Sequence, residues 1–447
     1  FIMSKEFFFF LEKKFNMKEQ ELLKWFQNDV IPSILSYFHS TKKYISPQCE
    51  SCHFENIQQG IDNFASNPFF GEITIKNSIG SFPISFFIKF QNQDPIIREK
   101  MKTVVQFQNE VTFYTIVKSN FIQFLTEQDI NTDFINNIIP ECYYASIAKN
   151  KPEESIIVLQ DLRKLGFKTA ENKVELDLNH CLIALEELAK FHAISFAMKY
   201  LNWQNFDKLK TSFEHVWFSD DMETRVQCQE FKGYCALRGI NYLLSQKESL
   251  IPKDYLENLK KKFETVFDLM KDAVSPKEPM AVICHGDFNR NNIVFKYSEG
   301  KPTQAMLIDF QTYLYSSPCL DVSFFIYMNT TQELRSLHFD KIFKHYYMNL
   351  IKAISTLTHA EEQKIINWIP FCLFEKEFER TSLNAYVTIS FFMPIMMAPI
   401  SNSLDDILKS KTFKEMAEEN YNQGGDVVSR KIADVILDFY RRKFFFP

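Results

Sequence analysis

The sequence predicts an α+β protein of two lobes: a small N-terminal sheet lobe, then a larger and mostly helical C-terminal lobe. Three observations lead there. The chain has 447 residues, and single cores stop growing near roughly 250–300 residues. Short apolar strands and one helix fill the first third. Apolar stripes at three- and four-residue steps then dominate, interrupted by short strands between about 281 and 309.

In order along the chain, residues 1–16 are expected to be an upstream or non-native extension, because Met17 opens an amphipathic pattern (Leu22, Leu23, Phe26, Val30). Residues 18–38 read as a helix. Ile73–Ile75 and Ser85–Phe90 read as strands joined by a polar turn near Asn77–Ser81, which is a hairpin signature. Met101–Thr126 reads as helix, and Ser155–Gln160 as a short buried strand. The chain turns polar at Asp161-Leu162-Arg163-Lys164. The division predicted is a lobe over 17–160, a hinge over 161–164 and a helical lobe over 165–447. In the second lobe Leu178, Leu182, Leu185, Ala189, His192 and Phe196 form one apolar stripe. Leu256, Leu259, Phe263, Val266 and Met270 form another. Strands follow at 281–284, 292–296 and 305–309, the last two joined by a turn over Tyr297–Pro302. Everything after about 320 reads as helix.

Composition removes several function classes. Apolar residues make up 46% of the chain, including 47 phenylalanines, enough for a full core. The net charge of −5 comes from nearly balanced acids and bases, so neither nucleic acid nor an anionic membrane is an expected partner. The longest apolar run, Val387–Ile400, contains Pro394 and Pro399 and falls short of a bilayer span. Nine scattered cysteines suggest no disulfide framework and point to a reducing, cytoplasmic setting. Cys49-Glu-Ser-Cys-His53 matches a haem-attachment pattern, but without an export signal it reads as a coincidental surface segment.

The chemistry concentrates in Val282–Phe295 and Leu307–Gln311. Asp287 and Asn292 stand five apart in a polar loop between apolar strands, after His285-Gly286. Asp309 follows seventeen residues later, at the end of a third strand, in Ile308-Asp309-Phe310. Phosphoryl transfer needs a held phosphate, neutralised charge and an aligned hydroxyl. Asp287 is the candidate base. Asn292 and Asp309 are candidate oxygen ligands for Mg²⁺, whose hard charge suits such donors. Aspartates that merely cap turns are the bland alternative.

Lys89 sits inside the apolar strand Phe86–Phe90, where an ammonium wants an anionic partner. Either it anchors nucleotide phosphates, oriented by Glu110 on the next helix, or it snorkels from an edge strand while Glu110 is an ordinary exposed acid. Gly60, Ala65, Ser66 and Gly71 form a weak phosphate-turn pattern, in which Ser66 and the Asn67 backbone are candidates. His192 reads as a satisfied core histidine, His285 as a brace for the loop, and Asp321 as an acceptor for loop backbone.

A small sheet lobe before a helical lobe that carries the His-Gly-Asp-x-x-x-x-Asn loop is the protein-kinase-like layout. With those pieces in place the chain resembles the ecdysteroid kinase-like family, a branch of the choline kinase and aminoglycoside phosphotransferase superfamily. The likeness runs from about residue 45 to 330. It rests on Asp62-Asn-Phe-Ala-Ser66, Phe87-Ile-Lys89, Asn109-Glu-Val-Thr-Phe-Tyr114, Val158-Leu-Gln-Asp-Leu162, Leu188-Ala-Lys-Phe-His-Ala193, the His285–Asn292 loop and Ile308-Asp-Phe-Gln311. The resemblance implies ATP and Mg²⁺ as cofactors and a small hydroxylated molecule as acceptor, ecdysteroid hormones being the family's named substrates. It also implies a hinge at Gln160-Asp161-Leu162 that meets adenine mostly through backbone. Two departures are Gln160 where the family has Glu, and Phe288-Asn289 where it has Trp near the acceptor.

The resulting expectation is an ATP-dependent small-molecule O-kinase, a monomer with a lipophilic acceptor. Phe391, Phe392, Met393, Met396 and Met397 suit such an acceptor, although plain helix packing would also account for them. It is not a protein kinase: His-Gly-Asp and Asp-Phe-Gln stand in place of His-Arg-Asp and Asp-Phe-Gly, and no activation segment follows. The alternatives are a nucleotide- or sterol-binding pseudokinase and a kinase of a cationic acceptor such as choline.

Overall fold

The computed structural model describes residues 25–41, 43–55, 69–92, 94–148, 154–172, 174–210, 221–247, 250–397 and 411–446. The chain divides into two compact units, one comprising 1–119 and 139–168, the other 120–138 and 169–447. The organisation is α+β, with the sheet in the first unit and helices dominating the second.

The first unit is built on a five-stranded antiparallel sheet in the order β1-β2-β3-β5-β4. The strands are β1 (Gln48–Glu55), β2 (Phe69–Lys76), β3 (Ser81–Phe90), β4 (Cys142–Ser146) and β5 (Ile156–Gln160). The β2–β3 hairpin closes as its sequence suggests. The Asn77 side chain accepts from the amides of Ile79 and Gly80 at 2.8 and 3.1 Å, an Asx turn that fixes the register. Helix α1 (Ile31–Ser40) continues from a π-helical turn at Phe26–Val30. Phe26, Phe54 and Phe86 meet ring to ring at 5.3 and 5.9 Å to form the core. Helix α2 (Thr103–Thr112) carries Glu110.

One expectation is corrected here. The Cys49–His53 segment, expected at the surface, is exposed at Glu50 and His53 but not at Cys52. It lies in β1, with Cys52 fully buried opposite Ile73. A register shift between Cys49 and Ser51 breaks the period-two pattern that would have revealed the strand. Strand β4 has no signature in the sequence, because Cys142-Tyr-Tyr-Ala-Ser146 lacks a clean alternation.

The second unit is led by α3 (Leu178–Leu201), started by Asp177, whose side chain accepts from the His180 amide at 3.0 Å. Helices α4 (Tyr234–Ser245) and α5 (Val266–Val274) follow. Next come four short strands: β6 (Val282–Cys284), β7 (Ile293–Ser298), β8 (Lys301–Leu307) and β9 (Leu314–Ser316). β7 and β8 form a hairpin whose turn residues Glu299 and Gly300 both have positive φ, 51° and 75°, as a two-residue hairpin requires. Helices α6 (Cys319–Asn329), α7 (Gln332–Thr358), α8 (Phe371–Met397), α9 (Phe413–Asn422) and α10 (Gly425–Arg441) complete the unit. Phe374 of α8 stacks on Tyr346 and Phe343 of α7 at 5.3 and 4.8 Å, so the surplus of phenylalanine is spent partly on helix packing. Among the described residues, no helix is long and apolar enough to cross a membrane.

The strands around the loop pair differently from their order in sequence. β6 pairs with β9, Cys284 facing Leu314, and β7 pairs with β8. The loop at 285–292 therefore leaves one small sheet and enters another. The strand before Asp309 ends at Leu307, so Asp309 does not end a strand. It lies two residues beyond, at φ 67°, in the left-handed region that aspartate tolerates better than most residues.

Candidate functional site

In the second unit the loop is pinned from below. Asp321, on the first turn of α6, accepts from the His285 amide through Oδ2 at 2.6 Å and from the Gly286 amide through Oδ1 at 2.9 Å. His192 of α3 holds the same carboxylate, its Nε2 lying 3.1 Å from Oδ2, while Nδ1 meets the Tyr346 hydroxyl at 2.7 Å. His192 is thus a satisfied core histidine, and Asp321 is the backbone acceptor expected of it. Gly286 has φ 84°, and a Cβ there would lie 2.0 Å from the Thr312 carbonyl oxygen. Only glycine fits that crossing.

His285 braces from the side. Its Nε2 donates to the Ile308 carbonyl at 2.9 Å, which leaves Nδ1 to face the Asp287 amide at 3.4 Å. Burial keeps its pKa below the ordinary histidine value, so it stays neutral and fixed in one tautomer. This bond also ties the loop to the residue just before Asp309.

Two amides cradle the Asp287 carboxylate. Asn289 Nδ2 donates to Oδ1 at 2.8 Å, and Asn292 Nδ2 donates to Oδ2 at 2.8 Å. The Asp287 pKa is nonetheless pushed up to about 7, first by burial and then by the negative charge of Asp309. The two amide donors oppose that rise without cancelling it. Asn292 turns its amino group toward Asp287, which directs its Oδ1 away. Two carboxylates near enough to repel, beside an amide oxygen, make a donor set that fits a divalent cation, whose charge would relieve the repulsion.

The first unit holds the other candidates. Lys89 on β3 forms an ion pair with Glu110 of α2 at 2.5 Å, with 6% and 1% of the two residues exposed. β3 is flanked by β2 and β5, so Lys89 is neither on an edge nor snorkelling, and Glu110 is no exposed acid. Gln160 ends β5 and is half-buried, while Asp161 and Leu162 are buried. The Asp161 carboxylate accepts from the Arg163 amide at 3.0 Å and from its guanidinium at 2.7 Å, so this side chain caps the turn that follows. Gly71 lies on β2, where a Cβ would press on the Phe86 ring at 2.6 Å. Gly60, Ala65, Ser66 and Asn67 fall outside the described residues.

Two residues of the loop's support carry roles that sequence reasoning had not given them. Asn289 had been read only as a substitution near the acceptor, yet it caps the turn at Arg290–Asn292 and holds Asp287. Its signal is the Asx pattern, an asparagine immediately before a tight turn whose side chain accepts from the amide two residues on. Asn329, at the far end of α6, accepts from the Arg290 amide at 3.0 Å, and nothing local to Asn329 signals that role.

Comparison with the curated proteins gives no match. Solved structures similar to this chain include a Plasmodium vivax ethanolamine kinase, at 14% identity over 92% of this chain and 91% of that one, with a TM-score of 0.36. A mutant aminoglycoside 2'-phosphotransferase-IIIa bound to GDP is similar at 10% identity over 90% and 97% of the two chains, also with a TM-score of 0.36. The model of the ecdysteroid kinase-like family matches residues 60–359, two thirds of the chain, a span that includes Lys89, Glu110, the 285–292 loop, Asp309 and Asp321. The chain belongs to the ecdysteroid kinase-like family.

Proposed function

We propose that this protein is an ATP-dependent kinase that phosphorylates a hydroxyl of a small molecule with a lipophilic body. Family membership supports a small-molecule phosphotransferase. The observation that carries the mechanism is the cradle of Asn289 and Asn292 around Asp287, beside Asp309.

In this mechanism Asp287 accepts the proton of the acceptor hydroxyl as the hydroxyl oxygen bonds to the γ-phosphorus, the bond from that phosphorus to the β–γ bridging oxygen breaks, and ADP leaves. A carboxylate raised toward neutrality is a better base than an exposed one and still ionises near neutral pH. Asn289 and Asn292 keep it pointed, which is the orientational share of catalysis. Asn292 Oδ1 and Asp309 would hold Mg²⁺, which when bound neutralises charge on the transferred phosphoryl group. Lys89, oriented by Glu110, would engage the α- and β-phosphates. Backbone groups at Gln160–Leu162 would meet adenine, and Ser66 and the Asn67 backbone would cover phosphate.

The test is transfer of label from the γ-position of ATP by the purified full chain to a panel of hydroxylated sterols, xenobiotic alcohols and amino alcohols. Transfer that Asp287→Ala abolishes, with nucleotide binding retained, supports the proposal. Tight ATP binding with no transfer to any member of the panel would instead favour a nucleotide-binding pseudokinase. Selective use of amino alcohols would favour a cationic acceptor.

A further inference from the structure

One helix holds the loop at three points. Asp321, on the first turn of α6, accepts from the Gly286 amide at 2.9 Å. Asn329, the last residue of α6, accepts from the Arg290 amide at 3.0 Å. Midway between them the Phe288 ring packs on Phe325, with centroids 5.0 Å apart. Positions 321, 325 and 329 are four apart and share one stripe of the helix. Their partners 286, 288 and 290 are two apart. Four helical residues advance about 6 Å and two extended residues about 6.5 Å, so loop and helix keep in step over this span. The residues between the three contacts are Asp287 and Asn289. Asn289 has extended backbone, φ −132° and ψ 170°, and its side chain donates to the Asp287 carboxylate at 2.8 Å. Asp287 keeps some exposure, while Phe288, Asn289 and Arg290 are buried.

We propose that Asn329 is a positioning residue for Asp287: by holding the Arg290 amide it fixes the turn that carries Asn292, and with it the direction of the Asp287 carboxylate. This rests on the reading of Asp287 as the base and adds a residue that acts on it from the far end of α6.

The first step concerns the turn. Arg290–Asn292 is one short helical turn, and the leading amides of such a turn find no acceptor inside it. The Asn289 side chain takes the Asn291 amide at 3.0 Å, and Asn329 takes the Arg290 amide. Asn292 closes the turn and donates both to Asp287 Oδ2 and to the Asp287 carbonyl. Removing the acceptor at Asn329 strips a buried amide of this bond, and the turn settles elsewhere. That shift reaches the carboxylate through a single side chain, Asn292.

The second step concerns Asn329 itself, which is 1% exposed. Its Nδ2 donates to the Phe325 carbonyl at 2.8 Å, and its own carbonyl accepts from the Leu176 amide at 2.7 Å. Turning the side-chain amide over would set Nδ2 against the Arg290 N–H and Oδ1 against the Phe325 carbonyl. Both contacts would join like with like. The oxygen therefore points at the loop, held there by the helix beneath it. Arg290, Phe325 and Leu176 include no residue proposed to meet nucleotide, so loss of Asn329 acts on turnover and spares nucleotide binding.

The experiment follows transfer from labelled ATP by the full chain, with whichever alcohol of the panel wild type accepts. Asn329→Leu keeps the volume and removes the acceptor. Its kcat is expected to fall about 10–10²-fold, with the KM for ATP unchanged. Asn329→Asp keeps an oxygen for the Arg290 amide and should retain most of the rate. Thr330→Val removes a hydroxyl bonded to the Ile326 carbonyl, weakens the same end of the helix and should keep the wild-type kcat. A wild-type kcat for Asn329→Leu, or an equal loss in Thr330→Val, overturns the positioning role and leaves the kinase reading standing. Hydrogen exchange on wild type gives a test that needs no variant to fold: the Arg290 amide should be strongly protected, and fast exchange there removes the contact on which the proposal stands. No transfer by wild type to any alcohol, with that amide protected, overturns the kinase reading and leaves Asn329 a brace of the loop without a role in turnover.

Discussion

Asn292 binds Asp287 twice: its Nδ2 lies 2.8 Å from the carboxylate Oδ2 and 2.9 Å from the backbone carbonyl of the same residue. The residue proposed to hold the metal is therefore also the one that aims the base. Removing either should damage the same step. Asp287→Ala is expected to lower kcat about 10²–10⁴-fold, with ATP affinity nearly unchanged. Asn292→Ala should lower kcat and also weaken the Mg²⁺ dependence. Steady-state kinetics over a Mg²⁺ titration check both, and a full-rate Asp287→Ala enzyme would remove this aspartate from the chemistry.

The Lys89–Glu110 pair lies in the dry interior of the first unit. Deleting one partner strands the other, which costs about 3–5 kcal/mol for a buried pair. Lys89→Met and Glu110→Leu should each lose about that much in urea unfolding. The double variant should recover most of it yet remain inactive. Recovery of stability without recovery of turnover separates a packing role from a nucleotide role.

Gly286→Ala should be among the most damaging single substitutions in the chain. The backbone there has φ 84°, and the added methyl would sit 2.0 Å from the Thr312 carbonyl oxygen. The loss is expected to reach about 3 kcal/mol or more, read as a drop in the urea midpoint. An unchanged midpoint would contradict the crossing of the 285–287 backbone over residue 312.

Asp434 should make stability depend on pH in the ligand-free protein. Burial, helped by Asp438, raises its pKa in the folded state against the opposing charges of Arg335, Arg430 and Lys431. Folding therefore favours the protonated form. That contribution is complete below the ordinary carboxylate range and is lost as pH rises through the raised value. Asp434→Asn escapes the loss. Its Tm should match wild type near pH 4 and exceed it at pH 8. Parallel Tm profiles across that range would show that the carboxylate is not desolvated.

The structure's debt to local sequence is plain at several points. Asn77 to Gly80 forecast the β2–β3 turn, because an asparagine side chain can accept from the amides two and three residues on. Lys89 among phenylalanines forecast an anionic partner, since an ammonium inside an apolar strand wants one, but the burial of Glu110 shows only in the structure. β1 was illegible because a bulge shifts its alternation, and β4 because its burial comes from neighbours rather than from its own pattern.

The sequence by itself determined the α+β class, the hairpins, the helix stripes and the spacing of Asp287, Asn292 and Asp309, all set by propensity, turn chemistry and periodicity over a few residues. Only the tertiary structure decided that β6 would pair with β9 and not with β7, that Asn329 would hold Arg290, and that Tyr327, Met393 and Asp434 would line one cavity. These contacts join residues dozens of positions apart. They are fixed by how helices and strands pack to bury apolar surface and satisfy polar groups together, which no short window of sequence encodes.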